Sequence, residues 1–259
     1  MRVPVVQHRS RRRRALRRRA LWTGGEFLVT AGVVLLLLVV HQLWWTNREA
    51  RRGAEHQVQA LERQWATSAP TVTATSTPGA SGSPSANTHT TDGSSPRRTT
   101  TGADGTGPRP SQAYAILTIP RLHLRVPIAE GVSKKNVLNK GYVGHYPGTQ
   151  QPGQAGNFAL AGHRNTHGEP FRYLPRLRLK DTVLVETSAA TYTYTVDKIL
   201  PQTSAADSGV IRPIPRSIVK PAYGYSSPGY YVTLTTCTPE FTSKYRMVVW
   251  GTLTSTRPR

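Results

Sequence analysis

Apolar and polar positions along the chain fall into three textures. Residues 27–45 form a run of 19 without Asp, Glu, Lys or Arg, built around the unbroken apolar stretch 33–40. At ~1.5 Å per residue such a run covers about 30 Å of hydrocarbon, so it predicts one membrane-spanning helix. From 47 to 65 the pattern turns charged but stays helix-compatible, which predicts a continuation of the same helix. Residues 66–112 are nearly all Thr, Ser, Gly, Pro, Ala or Asn, a composition that buries too little apolar surface to order itself. A flexible chain of that length has an r.m.s. span of roughly 35 to 40 Å, the reach of a stalk.

From residue 113 the texture becomes short and alternating. Residues 114–119, 183–186 and 192–196 read as half-buried strands, as do Leu122, Leu124, Val126 and Ile128 with Arg121, His123 and Arg125 between them. Residues 157–161, 230–237 and 245–253 are more continuously apolar or β-branched and read as central strands. Helical patterns are brief, at 134–138 and 171–177. A mainly β domain over 113–259, with about eight strands, points to a closed or nearly closed β-barrel, with a sandwich as the alternative.

Composition then sharpens the N-terminal picture. The 259 residues carry a formal charge of +21, and nine of the arginines fall within the first 19 residues, directly ahead of the apolar run. Nucleic-acid binding is not expected, because the basic run has no interleaved aromatic residue before Trp22. The placement instead keeps residues 1–26 cytoplasmic and the C-terminal domain outside, with Trp22, Trp44 and Trp45 at the two interfaces. Arg48, Arg51 and Arg52 oppose that orientation, but they are fewer and share their stretch with Glu49 and Glu55. A cleaved signal would need small residues after the apolar run, where His41, Gln42, Leu43 and Trp44 stand. The helix is therefore expected to remain as a single-pass anchor.

Candidate chemistry centres on Cys237, the one cysteine. On the outer face of a membrane a lone thiol is either reactive or paired with another molecule. Cys237 closes the strand Val232-Thr233-Leu234-Thr235-Thr236, and Arg246 opens the next strand nine residues later. If the two strands form a hairpin, Cys237 and Arg246 face each other with Cα atoms about 5 Å apart. A neighbouring guanidinium favours the thiolate and can donate to an oxyanion on an attacked carbonyl. Of the domain's four histidines, His163 is the favoured base, because the strand Phe158-Ala159-Leu160-Ala161 delivers it at its end and Gly162 allows a sharp turn. His145, in a Gly-His-Tyr-Pro turn, is the competitor; His123 reads as exposed, and His167 lies in an Asn-Thr-His-Gly loop. The domain's seven carboxylates, Glu130, Asp181 and Glu240 among them, are scattered and lack calcium-loop spacing, so no metal or other cofactor is expected.

The string Thr233-Leu234-Thr235-Thr236-Cys237 followed by Arg246 resembles the TLxTC...R signature of sortases, and Ala161-Gly162-His163-Arg164 resembles their catalytic-histidine strand. Gly144-His145-Tyr146-Pro147-Gly148, Pro152-Gly153, Gly156-Asn157 and Thr236-Cys237-Thr238-Pro239 resemble class E sortases of high-GC Gram-positive bacteria. The resemblance implies an eight-stranded sortase-type barrel and a cysteine transpeptidase. Such an enzyme cleaves the sorting signal of a secreted surface protein between Thr and Gly, prefers Leu-Ala-X-Thr-Gly, and passes the acyl group to an amine of a lipid II type wall precursor. It further implies Cys237 as nucleophile, His163 as acid/base and Arg246 as the oxyanion-side cation. Signal-peptide contacts are implied for Tyr146, Thr236, Ile214 and Pro215, the last two in a stretch, Ile211-Arg212-Pro213-Ile214-Pro215, that resembles a mobile loop.

Two rivals stay open on the residues alone. One is a secreted, membrane-tethered cysteine hydrolase, although papain-like proteases place Cys before His and the Ser-x-Gly-Cys string of L,D-transpeptidases is not matched by Thr235-Thr236-Cys237. The other is a non-enzymatic wall-binding domain in which Cys237 is structural.

Overall fold

A computed structural model describes residues 8–68 and 107–259. Helix α1 (His8–Ser68) runs unbroken for 61 residues. Its apolar part is the one helix among the described residues long and apolar enough to cross a membrane. The large apolar side chains Phe27, Leu28, Val29 and Val33 to Val40 are all exposed, Phe27 by 82%. The stalk expected over 66–112 falls mostly outside the described residues, as do the first seven residues of the expected cytoplasmic segment.

Eight strands follow: β1 (Ala113–Ile119), β2 (Leu124–Glu130), β3 (Val143–His145), β4 (Gly156–Ala161), β5 (Thr182–Glu186), β6 (Ala190–Ser204), β7 (Tyr230–Thr238) and β8 (Tyr245–Pro258). They close in the order β1-β2-β3-β4-β7-β8-β6-β5, so the barrel is the observed form and the sandwich is not. Two neighbouring pairs, β2 with β3 and β4 with β7, are parallel. Closure leaves no unpaired sheet edge. Leu117, Ile128, Phe158, Leu160, Leu234 and Val249 fill the interior, each at most 1% exposed.

Several local readings need correction. The alternation from Leu122 does not start a strand: a 3₁₀ turn at Pro120–Leu122 ends with His123 in the left-handed conformation, and β2 begins at Leu124. The helical patterns at 134–138 and 171–177 give way to turns with 3₁₀ segments at Leu138–Lys140 and Leu174–Arg176, the latter with Pro175 as its second residue. Strand β3 occupies what reads as a turn. Its three residues show no alternation, and it exists because β2 and β4 flank it.

The second half of α1 lies on the barrel. Val58, Leu61 and Trp65 pack on Ile116 of β1, Glu62 pairs with Arg125 of β2 at 2.6 Å, and Arg259 lies over the Trp65 ring. Nearer the apolar segment, Asn47 and Arg51 reach the loop after β4. Asn47 Nδ2 donates to Glu169 Oε1 at 2.8 Å, and Arg51 donates to Glu169 Oε2 at 3.0 Å and to the Gly168 carbonyl at 3.1 Å. Gly141 makes the approach possible, since a Cβ there would stand 2.7 Å from the Ala50 carbonyl oxygen.

Candidate active site

Three neighbouring strands bring the expected catalytic residues together. In the antiparallel β7/β8 ladder Cys237 is paired with Arg246. In the parallel β4/β7 ladder Ala161 is paired with Thr235, and the Gly162 N–H extends it by donating to the Thr235 carbonyl at 3.1 Å. Past that pair Thr236 Oγ1 donates to the Gly162 carbonyl at 2.8 Å and Arg164 Nη1 to the Cys237 carbonyl at 3.2 Å, so the residues on both sides of His163 are bonded to the Thr236–Cys237 stretch. Histidine, cysteine and arginine thus stand in a row at one end of β4, β7 and β8, and Cys237 is partly exposed there as a free thiol.

Each member has its own support. His163 Nε2 lies 2.9 Å from Asn139 Oδ1, an oxygen that can only accept, so Nε2 carries the proton and Nδ1 is the basic nitrogen. The His163 carbonyl accepts from Phe171 N–H at 2.9 Å, and the His167 ring stacks on the imidazole with centroids 5.5 Å apart. Burial, with smaller contributions from His167 and Lys134, lowers the His163 pKa to about 4. Its ring is therefore neutral near pH 7. Gly162 lacks a side chain where Phe171 fills the space, with Cδ2 2.6 Å from where a Cβ would stand, and its φ is not in the left-handed region.

Arg246 donates through Nη1 to the carbonyls of Ser243 at 2.8 Å and Tyr245 at 3.0 Å. Among the described residues Nε and Nη2 make no hydrogen bond, so they keep donors for an incoming oxygen. Arg164 holds the end of β7 from the other side, donating from Nη1 to the Cys237 carbonyl at 3.2 Å and to Thr238 Oγ1 at 3.0 Å.

A groove of about 210 Å³ beside this row is lined by Tyr146, Thr235, Arg246, Asp207, Val210 and Ile211, among others. Tyr146 OH lies 3.0 Å from Thr235 Oγ1, which also donates to the Leu160 carbonyl at 3.1 Å. Thr235 has one hydroxyl proton, so Tyr146 is the donor of the pair and its phenol oxygen keeps acceptor capacity. Thr236 is turned into the barrel wall. It is 2% exposed and donates to the Gly162 carbonyl at 2.8 Å, locking β7 to the segment that carries His163. Ile214 and Pro215 lie further along the connection between β6 and β7 and do not line the groove; Pro215 is buried and its carbonyl accepts from Tyr225 N–H at 2.9 Å. His145 is 1% exposed, with Nδ1 2.6 Å from Glu130 and Nε2 2.9 Å from Thr149 Oγ1. Both its nitrogens are engaged in the core, which removes it as a competitor.

Asn139, Arg164, His167 and Thr235 carry no role in the sequence reading. Asn139 sits 24 positions from His163 in an unremarked Leu-Asn-Lys turn. Arg164 and Thr235 lie inside quoted motifs, but their partners are on other strands.

The family model for the sortase domain matches residues 117–254, more than half of the 259 residues. The chain belongs to the sortase family. It is 42% identical over 240 residues to Sortase SrtE1 of Streptomyces coelicolor, covering 91% of this chain and 57% of that relative. To Sortase SrtE2 of the same organism it is 32% identical over 237 residues, covering 90% of this chain and 81% of that relative. The chain thus spans little more than half the length of SrtE1. The crystal structure of Sortase E1 from Streptomyces coelicolor with a tripeptide in the active site matches with a TM-score of 0.55 at 51% identity, over 59% of this chain and 94% of that one. Sortase E from Streptomyces avermitilis matches with a TM-score of 0.52 at 41% identity, over 58% and 93%.

Proposed function

We propose that this sortase is a membrane-anchored cysteine transpeptidase. It cleaves a Leu-Ala-X-Thr-Gly type sorting signal between Thr and Gly, keeps the acyl group on Cys237 as a thioester, and transfers it to an amine of a lipid II type wall precursor. The N-terminus is cytoplasmic and the barrel extracellular. The observation that carries the reading is the row of His163, Cys237 and Arg246 across β4, β7 and β8.

In this mechanism the neutral His163 takes the thiol proton as Cys237 attacks the Thr carbonyl, and the oxyanion that forms meets the free donors of Arg246. The imidazolium so produced is a strong acid, because burial disfavours its charge, and it protonates the departing Gly amine as the C–N bond breaks. In the second half the acceptor amine attacks the thioester. A new C–N bond forms, the C–S bond breaks, and the amine proton passes through His163 to restore the thiol.

The test is the full-length chain in detergent with Leu-Ala-X-Thr-Gly and Leu-Pro-X-Thr-Gly peptides and an added amine. The wild type should show cleavage and transfer with ping-pong kinetics, and Cys237→Ala neither. Arg246→Lys keeps the charge but loses the planar fork, so turnover should fall about 10²-fold. Residual turnover by Cys237→Ala would overturn the mechanism, and near-normal turnover by the lysine enzyme the donor role.

A further inference from the structure

His163 is steadied by two segments besides its own strand. One is the turn that carries Asn139 and ends at Gly141, with Asn139 Oδ1 2.9 Å from His163 Nε2. The other is the loop after β4, in which the His167 ring stacks on the imidazole and Phe171 donates its N–H to the His163 carbonyl at 2.9 Å. Both segments meet the same turn of α1, Asn47 to Arg51, which begins two residues past the apolar run. We propose that this turn is a positioning element of the active site, with Asn47, Ala50 and Arg51 holding both supports of His163 in place. The role rests on His163 being the acid/base of the transpeptidase reading above, and it makes the apolar helix part of the catalytic scaffold as well as an anchor.

The contacts converge on Ala50. A Cβ at Gly141 would stand 2.7 Å from the Ala50 carbonyl oxygen, and one at Gly168 would stand 3.5 Å from the Ala50 Cβ and 3.3 Å from the Gly141 Cα. Helix, turn and loop therefore touch at one place. Asn47 holds the loop twice, since Nδ2 donates to Glu169 Oε1 at 2.8 Å and Oδ1 accepts from the Gly168 N–H at 3.3 Å. Arg51 holds it twice more, donating to Glu169 Oε2 at 3.0 Å and to the Gly168 carbonyl at 3.1 Å.

The loop depends on this hold. His167, Gly168 and Glu169 follow one another with φ of 53°, 83° and 53°, a left-handed backbone that disfavours His and Glu. The Glu169 side chain is 4% exposed, and of its three donors only Arg172, at 2.7 Å, belongs to the loop. Without Asn47 and Arg51 a buried carboxylate keeps one partner, and it regains hydration by moving the loop outward. His167 and Phe171 move with it, and the imidazole loses its packing.

That loss has a signature in protonation. Burial is the main cause that lowers the His163 pKa to about 4, with His167 on the loop and Lys134 ahead of the Asn139 turn adding to it. The other titratable or charged groups at this end of the barrel are Cys237, Arg246 and Arg164. Withdrawing the loop removes burial and the His167 ring together, so the pKa moves back up toward 6.5.

The test takes the full-length chain in detergent with a Leu-Ala-X-Thr-Gly peptide and compares the wild type with Arg51→Ala, Asn47→Ala/Arg51→Ala and Arg52→Ala. In each of them Val58, Leu61, Trp65 and the Glu62–Arg125 pair keep the helix docked. The double variant should lose about 10-fold in kcat with KM changed by less than about 2-fold, the pattern of a displaced acid/base rather than of lost substrate binding. The acid limb of its kcat/KM profile should move up from near pH 4 toward 6.5. Arg51→Ala, which leaves both Asn47 bonds, should show the same changes at about 3-fold in kcat. Arg52→Ala removes the same charge from an exposed position and should match the wild type. Wild-type kcat and acid limb in both clamp variants overturn the inference. So does a fall in kcat with the acid limb unmoved, or an equal fall in Arg52→Ala, since the turn is then only a support of the fold or a source of charge. A wild type that does not cleave, or a His163→Ala chain that cleaves normally, overturns the transpeptidase reading and this inference with it.

Discussion

Asn139 and His163, 24 residues apart, are joined by a 2.9 Å hydrogen bond from Nε2–H to Oδ1 that assigns the imidazole its tautomer. A neutral bond of this kind contributes on the order of 1 kcal/mol. Asn139→Ala should therefore lower kcat/KM for peptide cleavage about 2- to 10-fold with little change in KM. Asn139→Asp should favour the imidazolium and move the acid limb of the pH profile upward. Identical kcat/KM profiles for wild type and both variants would remove Asn139 from the mechanism.

His163 should also leave a signature in stability. In the unfolded chain its ring holds a proton up to about pH 6.5, whereas in the native protein it does so only below about 4. Between these values the unfolded state binds more protons, so stability is fully present above pH 6.5 and declines as pH falls toward 4. His163→Gln should flatten that decline in thermal unfolding followed across the window. A variant curve parallel to the wild type would assign the acid sensitivity to other groups.

Tyr146 and Thr235 form a pair that lines the groove beside Arg246. Because Tyr146 donates to Thr235, its oxygen is turned into an acceptor, suited to the N–H that alanine has and proline lacks at the second signal position. Tyr146→Phe should lower kcat/KM for Leu-Ala-X-Thr-Gly by roughly 5- to 100-fold, and for the proline peptide much less. Thr235→Val frees the phenol proton and should erode the same preference. Equal losses on both peptides would make the pair a support of the fold.

Leu61, 3% exposed against Val58, Trp65 and Ile116, tests the helix dock. Burying one such side chain stabilises by about 1.5 to 3 kcal/mol, and a carboxylate in its place must be hydrated. Leu61→Asp should release the helix while leaving the barrel folded. Limited proteolysis should then cut within 47–68 faster, with little change in the barrel's unfolding temperature; wild-type protection would mean that the dock does not depend on this contact.

Much of the molecule was legible from local pattern. An uncharged run of 19 residues announces a helix long and apolar enough to cross a membrane whatever surrounds it, because length and transfer energy are properties of the segment alone. The Cys237–Arg246 pairing followed from two strands joined by a short loop, which meet with little chain between them. His163 was visible because a buried strand leads into it. What the tertiary structure alone decided are relationships between distant segments: β4 beside β7 brings the residues around His163 to the Thr236–Cys237 stretch across some 75 residues, Thr236 turns inward to Gly162, and Asn139 reaches His163 from a loop with no pattern of its own. The charged half of α1 showed the same gap. Its composition permits a free helix, and only the matching surface of Ile116, Arg125 and Glu169 makes it part of the barrel domain, since burial depends on the partner as much as on the segment.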